Sequence, residues 1–100
     1  TEKEIAEFVF GKVEERGYGY AWEKEYCPSV FTGPDTAGAH AGPTDKKVEP
    51  GHVINMDFGI KYKGYCSDLQ RTWYVLRPDE AEPPAEVIRG FNVIRDSIQL

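Results

Sequence analysis

Two aspartates, Asp57 and Asp68, stand in a stretch that is otherwise rich in strand-forming residues, INMDFGIKYKGYCSDLQRT. We expect this stretch to form a hairpin that turns on Tyr62 and Lys63, which places the two aspartates directly opposite each other. Their Cβ atoms would lie about 5 Å apart, and the carboxylates would repel each other by roughly 3 kcal/mol at an effective dielectric constant near 20. Such a pair needs a partner that relieves the repulsion.

A shared proton, a basic neighbour or a divalent metal ion could relieve it. Acid proteases share a proton between two Asp-Thr/Ser-Gly motifs, which the sequence lacks. In the expected register Arg71 faces the apolar side of the hairpin, while Lys61 and Lys63 lie at its turn. A metal ion is the best remaining partner, because carboxylate oxygens suit Mn, Co, Fe, Mg or Zn. The residues alone also leave open an exposed charged face and salt bridges.

The hairpin that carries the aspartates is predicted from alternation. From Val53 to Ile60, apolar side chains alternate with polar ones or glycine, which is typical of a half-buried strand. After the turn, a second β-rich run extends from Tyr65 to about Leu76. One face of the hairpin is then apolar, and the other carries both aspartates.

A helix is predicted at the start of the chain. Thr1 and Glu4 form a capping box, in which each side chain bonds a backbone N–H that the helix leaves free. The helix should run over about residues 2 to 16 and stop at Gly17, because glycine readily adopts the left-handed conformation of a helix end. Its apolar stripe is expected to join the core; the members of the stripe are Ile5, Phe8, Val9 and Val13.

The rest of the chain is predicted as loops, short strands and a final helix. Breakers between residues 18 and 51 favour loops with one or two strands, from Ser29 to Thr32 and around His40. Helical spacing of apolar residues resumes at Val87 and continues to the end. The expected fold class is therefore α+β, with an antiparallel hairpin sheet flanked by amphipathic helices.

Side chains near the aspartates have simpler structural interpretations. His52 follows a turn at the start of a strand and is expected to be exposed. Tyr65 lies on the apolar face and is expected to join the core, while Cys66 is interpreted as a small buried filler. Cys27 and Cys66 are too far apart in sequence for a CxxC motif, and both are expected to be reduced thiols.

Composition indicates a globular domain in the cytoplasm. The 100 residues are 40% hydrophobic and 29% charged, and the net charge of −5 argues against nucleic acid or an anionic membrane as partner. No apolar run approaches the ~20 residues that a membrane helix needs, and the first residues do not resemble a signal peptide. Because the chain lacks an initial Met and ends within a helical pattern, we expect it to be one fragment, residues 1–100, of a longer protein.

A longer pattern of residues adds a resemblance to a known family. HAGPTD, followed by EPGHVINMDFGIKYKGYCSDLQRT, resembles the pita-bread metallopeptidases, in particular Xaa-Pro aminopeptidases and Xaa-Pro dipeptidases. The opening TEKEI is similar to the capped helix of that family, so the resemblance covers nearly the whole chain. The shared elements, in order, are His40, Asp57-Phe58-Gly59, Tyr62, Gly64-Tyr65, Ser67-Asp68 and Arg71-Thr72.

The resemblance implies a dinuclear metal site and a substrate. Asp57 would bind one metal ion, Asp68 would bridge both, and His40 would help to bind or polarise the scissile carbonyl. The ions, Mn, Co or Zn, would lower the pKa of a shared water that attacks the bond before proline. The implied substrate is a peptide with proline at the second position.

The resemblance is incomplete in its ligands. The family's other ligands, one His and two Glu, come from later strands, and nothing after Thr72 supplies them. We therefore expect the chain to be the first half of a pita-bread catalytic domain, to bind metal weakly or not at all, and to be inactive alone. A creatinase-type C–N hydrolase and a non-catalytic binding module are the alternatives. If the fragment is isolated, we expect a homodimer, or a partner segment at the sheet edge, because a half domain would expose that edge and an apolar face.

Overall fold

The computed structural model describes residues 1–35 and 42–99 of the chain. These residues form two helices and two small antiparallel sheets of three strands each. This arrangement confirms the expected α+β class with a hairpin sheet and is consistent with part of a pita-bread fold. The elements are α1 (Glu2–Glu15), β1 (Gly19–Tyr20), a 3-10 turn (Lys24–Tyr26), β2 (Ser29–Thr32), β3 (Val53–Phe58), β4 (Ile60–Tyr62), β5 (Tyr65–Cys66), β6 (Leu69–Tyr74) and α2 (Ala85–Ile98). The strand order is β1-β4-β5 in one sheet and β2-β3-β6 in the other.

The first helix has the predicted cap at each end. The Thr1 hydroxyl accepts a hydrogen bond from the Glu4 N–H at 3.1 Å, and the Glu4 carboxylate accepts one from the Thr1 amino group at 3.0 Å. Gly17 has φ of 70°, and its N–H donates to the Glu14 carbonyl. The capping box and the glycine stop are therefore confirmed.

The core lies between α1 and residues 27–30, which lead into β2 and form its first half. Ala6 and Val13 of α1 are 3% exposed, and Cys27 and Val30 are still less accessible. Phe8 was expected in this core but is exposed. The buried stripe of α1 is thus narrower than its apolar spacing predicts, because β1 and β2 cover only one side of the helix.

Glu2, the first residue of α1, is buried and joins three parts of the fold. Among the described residues, its carboxylate accepts hydrogen bonds from the backbone N–H of Thr32 at 2.9 Å and from the N–H and hydroxyl of Thr44 at 2.9 and 2.8 Å. The Glu2 N–H in turn donates to the Lys46 carbonyl. The carboxylate therefore holds the end of β2 and the following loop against the helix start.

Replacing Glu2 with Ala is expected to lower the free energy of unfolding by about 3 kcal/mol, because the buried Thr32 N–H loses its acceptor. Glu2→Gln should give a smaller loss, since one amide oxygen still accepts. Urea denaturation followed by circular dichroism measures both changes. Glu7→Ala, at an exposed position of the same helix, is the control, and an equal loss there would contradict the role of Glu2.

The hairpin turns one residue later than the sequence predicts. Its central residues are Lys63 and Gly64, with φ of 51° and 84°, and Tyr62 pairs with Tyr65. A two-residue hairpin turn of this kind needs positive φ at both central positions, which glycine adopts without strain. The predicted turn on Tyr62 and Lys63 is therefore wrong.

The later turn changes every cross-strand partner but keeps the faces. Asp57 pairs with Gln70, so Asp68 is not directly opposite Asp57 as predicted. Since each pairing shifts by two positions, side chains stay on their predicted side of the sheet. Met56, now opposite Arg71, lines an apolar groove with Phe58 and Ile60, whereas Asp57 lines the cleft on the polar side.

Three side chains near the hairpin differ from their interpretations. His52 is half-buried: its Nδ1 lies 3.2 Å from the Thr32 hydroxyl and 3.2 Å from the Glu49 N–H, so it links β2 to the start of β3. Tyr65 is 83% exposed at the hairpin tip, and Cys66 beside it is also exposed. β5 is a two-residue strand at the edge of the smaller sheet and pairs only with β4 among the described strands, so Tyr65 and Cys66 lie outside the core. Within the described chain, Cys27 and Cys66 are both free cysteines.

The second helix forms as predicted, but it contributes no residue to the buried core. None of the residues of α2, all of them described, is buried, and its apolar side chains Phe91, Ile94 and Ile98 are exposed. In the described part of the chain, no helix combines the length and apolar character needed to cross a membrane.

Candidate functional site

Asp57 and Asp68 line one open cleft of about 460 Å³. The structure therefore brings the two predicted metal ligands to a common space, although not by the predicted pairing. The other lining residues are Trp22, Glu23, Tyr26 and Ser29.

Asp57 is held at the centre of the larger sheet. Its strand, β3, lies between β2 and β6, and Asp57 pairs with Ser29 on one side and Gln70 on the other. On the same face, Gln70 donates to the Asn55 side chain at 2.7 Å, and Asn55 donates to Thr72 at 3.0 Å. These bonds tie the polar face together beside the aspartate.

Asp68 is placed by an interruption in both arms of the hairpin. Between β3 and β4 the ladder breaks at Gly59, and between β5 and β6 it breaks at Ser67 and Asp68. Ser67 closes the gap, because its N–H donates to the Ile60 carbonyl at 2.9 Å and its hydroxyl accepts from the Ile60 N–H at 3.0 Å. Asp68 directly follows Ser67 in this break and lines the cleft.

Gly59 sits at the crowded centre of that break. A Cβ at this position would collide with the Ser67 carbonyl and lie 2.8 Å from the Ala21 Cβ and 2.9 Å from the Trp22 ring. The Gly59 carbonyl accepts hydrogen bonds from the Ala21 N–H and the Cys27 thiol, each at 3.1 Å. Close approach of three chain segments therefore requires glycine here.

One wall of the cleft is aromatic and is braced by a single carbonyl. Trp22 donates its indole N–H to the Tyr26 carbonyl at 2.8 Å, and the Ser29 hydroxyl donates to the same oxygen at 2.9 Å. Trp22 and Tyr26 thus form a fixed surface beside the aspartates. We name this surface, residues 22–26, the aromatic wall.

The donor chemistry of the cleft fits part of a metal site. Two carboxylates, Asp57 and Asp68, supply hard oxygen ligands of the kind that divalent cations prefer. Over the ranges 1–35 and 42–99, however, no group of three or more His, Cys, Asp or Glu side chains could hold a metal ion. The described residues therefore supply two donors and not a complete coordination shell.

The sequence predictions name Asp57 and Asp68, which the cleft brings together, but they do not name the aromatic wall. His40, the predicted substrate contact, lies outside the described residues, as does the strand predicted around it. Trp22, whose sequence context does not separate packing from pocket lining, lines the cleft. Glu23 and Tyr26 fall in the stretch predicted as loops and short strands, where the available signal is Trp22 and Tyr26 among helix- and strand-breaking residues.

The fold and the cleft define a class of protein: an α+β chain that brings carboxylate donors together on the face of an antiparallel sheet. The sequence matches metallopeptidase family M24 over residues 1–99. This chain belongs to that family, whose members generally depend on divalent metal ions.

Relatives in bacteria agree with the family. The chain is 36% identical over 97 residues to a protein of Mycoplasma genitalium named "Putative Xaa-Pro aminopeptidase". The match covers 97% of this chain and 26% of that protein. A protein of Mycoplasma pneumoniae with the same name is 36% identical over 75 residues, covering 75% of this chain and 20% of that protein. An uncharacterized peptidase of Bacillus subtilis is 41% identical over 51 residues, covering 51% of this chain and 14% of the relative. The chain thus spans about a quarter or less of the length of these relatives.

Proposed function

We propose that this chain supplies part of the active site of a metal-dependent exopeptidase that cleaves the peptide bond before proline. The observation that carries the proposal is the shared cleft of Asp57 and Asp68, within a chain that matches a metallopeptidase family along its length. The names of the Mycoplasma relatives support Xaa-Pro peptides as the substrate class.

The metal ions would be held by Asp57 and Asp68 together with ligands from beyond these strands. Two ions such as Mn, Co or Zn supply a water of lowered pKa and a positive charge for the scissile carbonyl. Asp57 would bind one of them and Asp68 would bridge both. His40 is proposed to contact the substrate carbonyl.

The remaining chemistry of this chain is substrate placement. Trp22 and Tyr26 offer flat apolar surfaces to a substrate side chain, and Glu23 adds a carboxylate at the same edge. A bond before proline has no N–H to donate, so shape and apolar contact must take a larger share of recognition.

We further propose that residues 1–100 are the first half of the catalytic domain and are inactive alone. A two-carboxylate site would bind a divalent ion weakly and leave a second ion without ligands. The whole protein is proposed to act in the cytoplasm as a homodimer. The exposed Phe91, Ile94 and Ile98 of α2 are consistent with a further partner surface.

The test compares this chain with a longer polypeptide that contains it within a complete catalytic domain. With Mn²⁺ or Co²⁺ added, the longer polypeptide is expected to release the first residue of Xaa-Pro peptides and to leave matched Xaa-Ala peptides intact. The 100-residue chain should show neither hydrolysis nor tight two-metal binding by isothermal titration. Cleavage of creatine-like C–N bonds, or peptide binding without cleavage, would contradict the proposal.

A further inference from the structure

Lys24 lies outside the cleft but belongs to the turn that forms the aromatic wall. The 3-10 turn begins at Lys24 and ends at Tyr26, and the N–H of Cys27 donates to the Lys24 carbonyl at 3.3 Å. With three residues per turn, successive side chains of such a helix point about 120° apart. Lys24 can therefore face α1 while Tyr26 faces the cleft.

The Lys24 ammonium contacts two elements at once. Its Nζ lies 3.0 Å from Glu14 Oε1 of α1, 4.8 Å from the centre of the Phe10 ring and 5.4 Å from the centre of the Tyr20 ring. The Phe10 and Tyr20 rings meet edge to face at 5.6 Å, and the Tyr20 hydroxyl donates to the same Glu14 oxygen at 3.4 Å. We name these four residues, Phe10, Glu14, Tyr20 and Lys24, the lysine latch.

Both charges of the latch are maintained by their contact. The hydrogen bond from Lys24 is the main cause that lowers the pKa of the Glu14 carboxyl, and the same bond raises the pKa of Lys24. The ion pair is partly exposed, so charge attraction alone is weakened by water. The two aromatic faces add cation–π attraction and restrict where the ammonium can sit.

Other contacts hold Trp22 and the far end of the wall. Trp22 and Ser29 brace the Tyr26 carbonyl, and the Cys27 thiol donates to Gly59. Among the described contacts of residues 22–26, the latch connects the beginning of the 3-10 turn to α1. Because the Cys27 N–H donates to the Lys24 carbonyl, loss of the latch would loosen the turn as far as Cys27.

We propose that Lys24 is a positioning residue, which anchors the 3-10 turn to α1 and thereby sets the place of Trp22 and Tyr26 beside Asp57 and Asp68. That this placement governs substrate fit rests on the proposed function. The anchoring does not, because it can be measured without peptide or metal.

The test uses the buried thiol that follows the turn. Cys27 is 0% exposed, so it can react with an aromatic disulfide reagent only when its segment opens. In a Cys66→Ser background, Cys27 is the only thiol of the chain, and its labelling rate reports the opening equilibrium. Lys24→Met is expected to raise that rate by about two- to fivefold, the shift that one exposed cation–π contact supports.

Matched variants separate anchoring from general loss of stability. Lys24→Arg should restore the parent rate, because guanidinium also pairs with carboxylate and stacks on rings. Lys12→Met removes the same charge from α1 at a residue that pairs with Glu15, and it should leave the rate unchanged. In a Trp73→Phe background, Trp22 emission should move to longer wavelength in Lys24→Met alone.

Several outcomes would overturn the proposal. One is a labelling rate that rises equally in Lys12→Met and Lys24→Met. Another is a labelling rate of Lys24→Met that increases with urea concentration as steeply as global unfolding does. That slope would mean that labelling requires the whole fold to open. In an active longer protein, Lys24→Met should raise KM more than it lowers kcat. A larger effect on kcat than on KM would contradict the role of Lys24 in substrate fit but not its role in anchoring the turn.

Discussion

Replacing Asp57 with Asn in a polypeptide that hydrolyses Xaa-Pro peptides is expected to lower kcat/KM by at least about a hundredfold, as outer-shell partners of metal ligands alone cost 10- to 100-fold. The substitution keeps the side chain's size and removes the negative charge that a divalent ion requires. Asp68→Asn should have at least as large an effect, because the proposed role of Asp68 joins both ions. Rates measured under saturating Mn²⁺ and Co²⁺ test this expectation.

The two aspartates should also behave as a unit. If both serve one metal centre, the double variant should be scarcely worse than either single variant, because residues that act together are not additive. Independent effects that multiply would argue for two separate roles. Asp79→Asn, in the exposed connection before α2, removes the same charge and is expected to leave activity unchanged.

Folding controls distinguish loss of ligands from loss of structure. The urea midpoint of each variant, followed by circular dichroism, shows whether a loss of activity comes from unfolding. Full hydrolytic activity in either single variant would contradict the proposed metal site.

Replacing Gly59 with Ala is expected to lower the free energy of unfolding by about 3 kcal/mol, the upper range for overpacking a closed site. The new methyl group would collide with the Ser67 carbonyl and crowd Ala21 and Trp22. Backbone atoms on one side and a ring on the other leave little room to relax. Urea denaturation followed by circular dichroism measures the loss.

Gly11→Ala is the matched control. Gly11 lies inside α1, and a Cβ there would meet no described atom within 4 Å. Because alanine stabilises helix interiors relative to glycine, this change should raise the free energy of unfolding by about 0.5–1 kcal/mol. Equal destabilisation by both changes would show that crowding at Gly59 is not the cause.

The Gly59 variant links stability to the cleft. Asp68 follows Ser67, and Trp22 belongs to the aromatic wall, so any movement that makes room for a methyl group shifts one side of the cleft. In an active polypeptide, Gly59→Ala should therefore reduce activity even below the temperature at which it unfolds. Unchanged kinetics in the folded variant would show that the break tolerates the shift.

Local pattern was sufficient for the elements and for the face of the hairpin. The capping box of Thr1 and Glu4 predicts a helix that forms, and alternation around Asp57 predicts a strand with the aspartate on its polar side. These features depend on neighbours within a few residues, which the sequence displays directly. The family resemblance is similarly local, because it rests on short motifs in order.

Long-range relations could not be obtained in that way. The register depends on which two residues adopt positive φ, and Lys63 and Gly64 do so where Tyr62 and Lys63 were expected. Because all pairings of the hairpin follow from one register, the shift of the turn by one residue gives Asp57 the cross-strand partner Gln70 instead of Asp68.

The cleft brings together residues far apart in the chain. Trp22 and Tyr26 reach the aspartates because Gly59 allows three segments to approach and because Glu14 and Lys24 join a helix to a turn. Types and spacing of residues therefore establish that two carboxylates share one face of a sheet. Which side chains surround them follows from packing, since contacts between distant segments depend on the shape of the whole fold and not on local order.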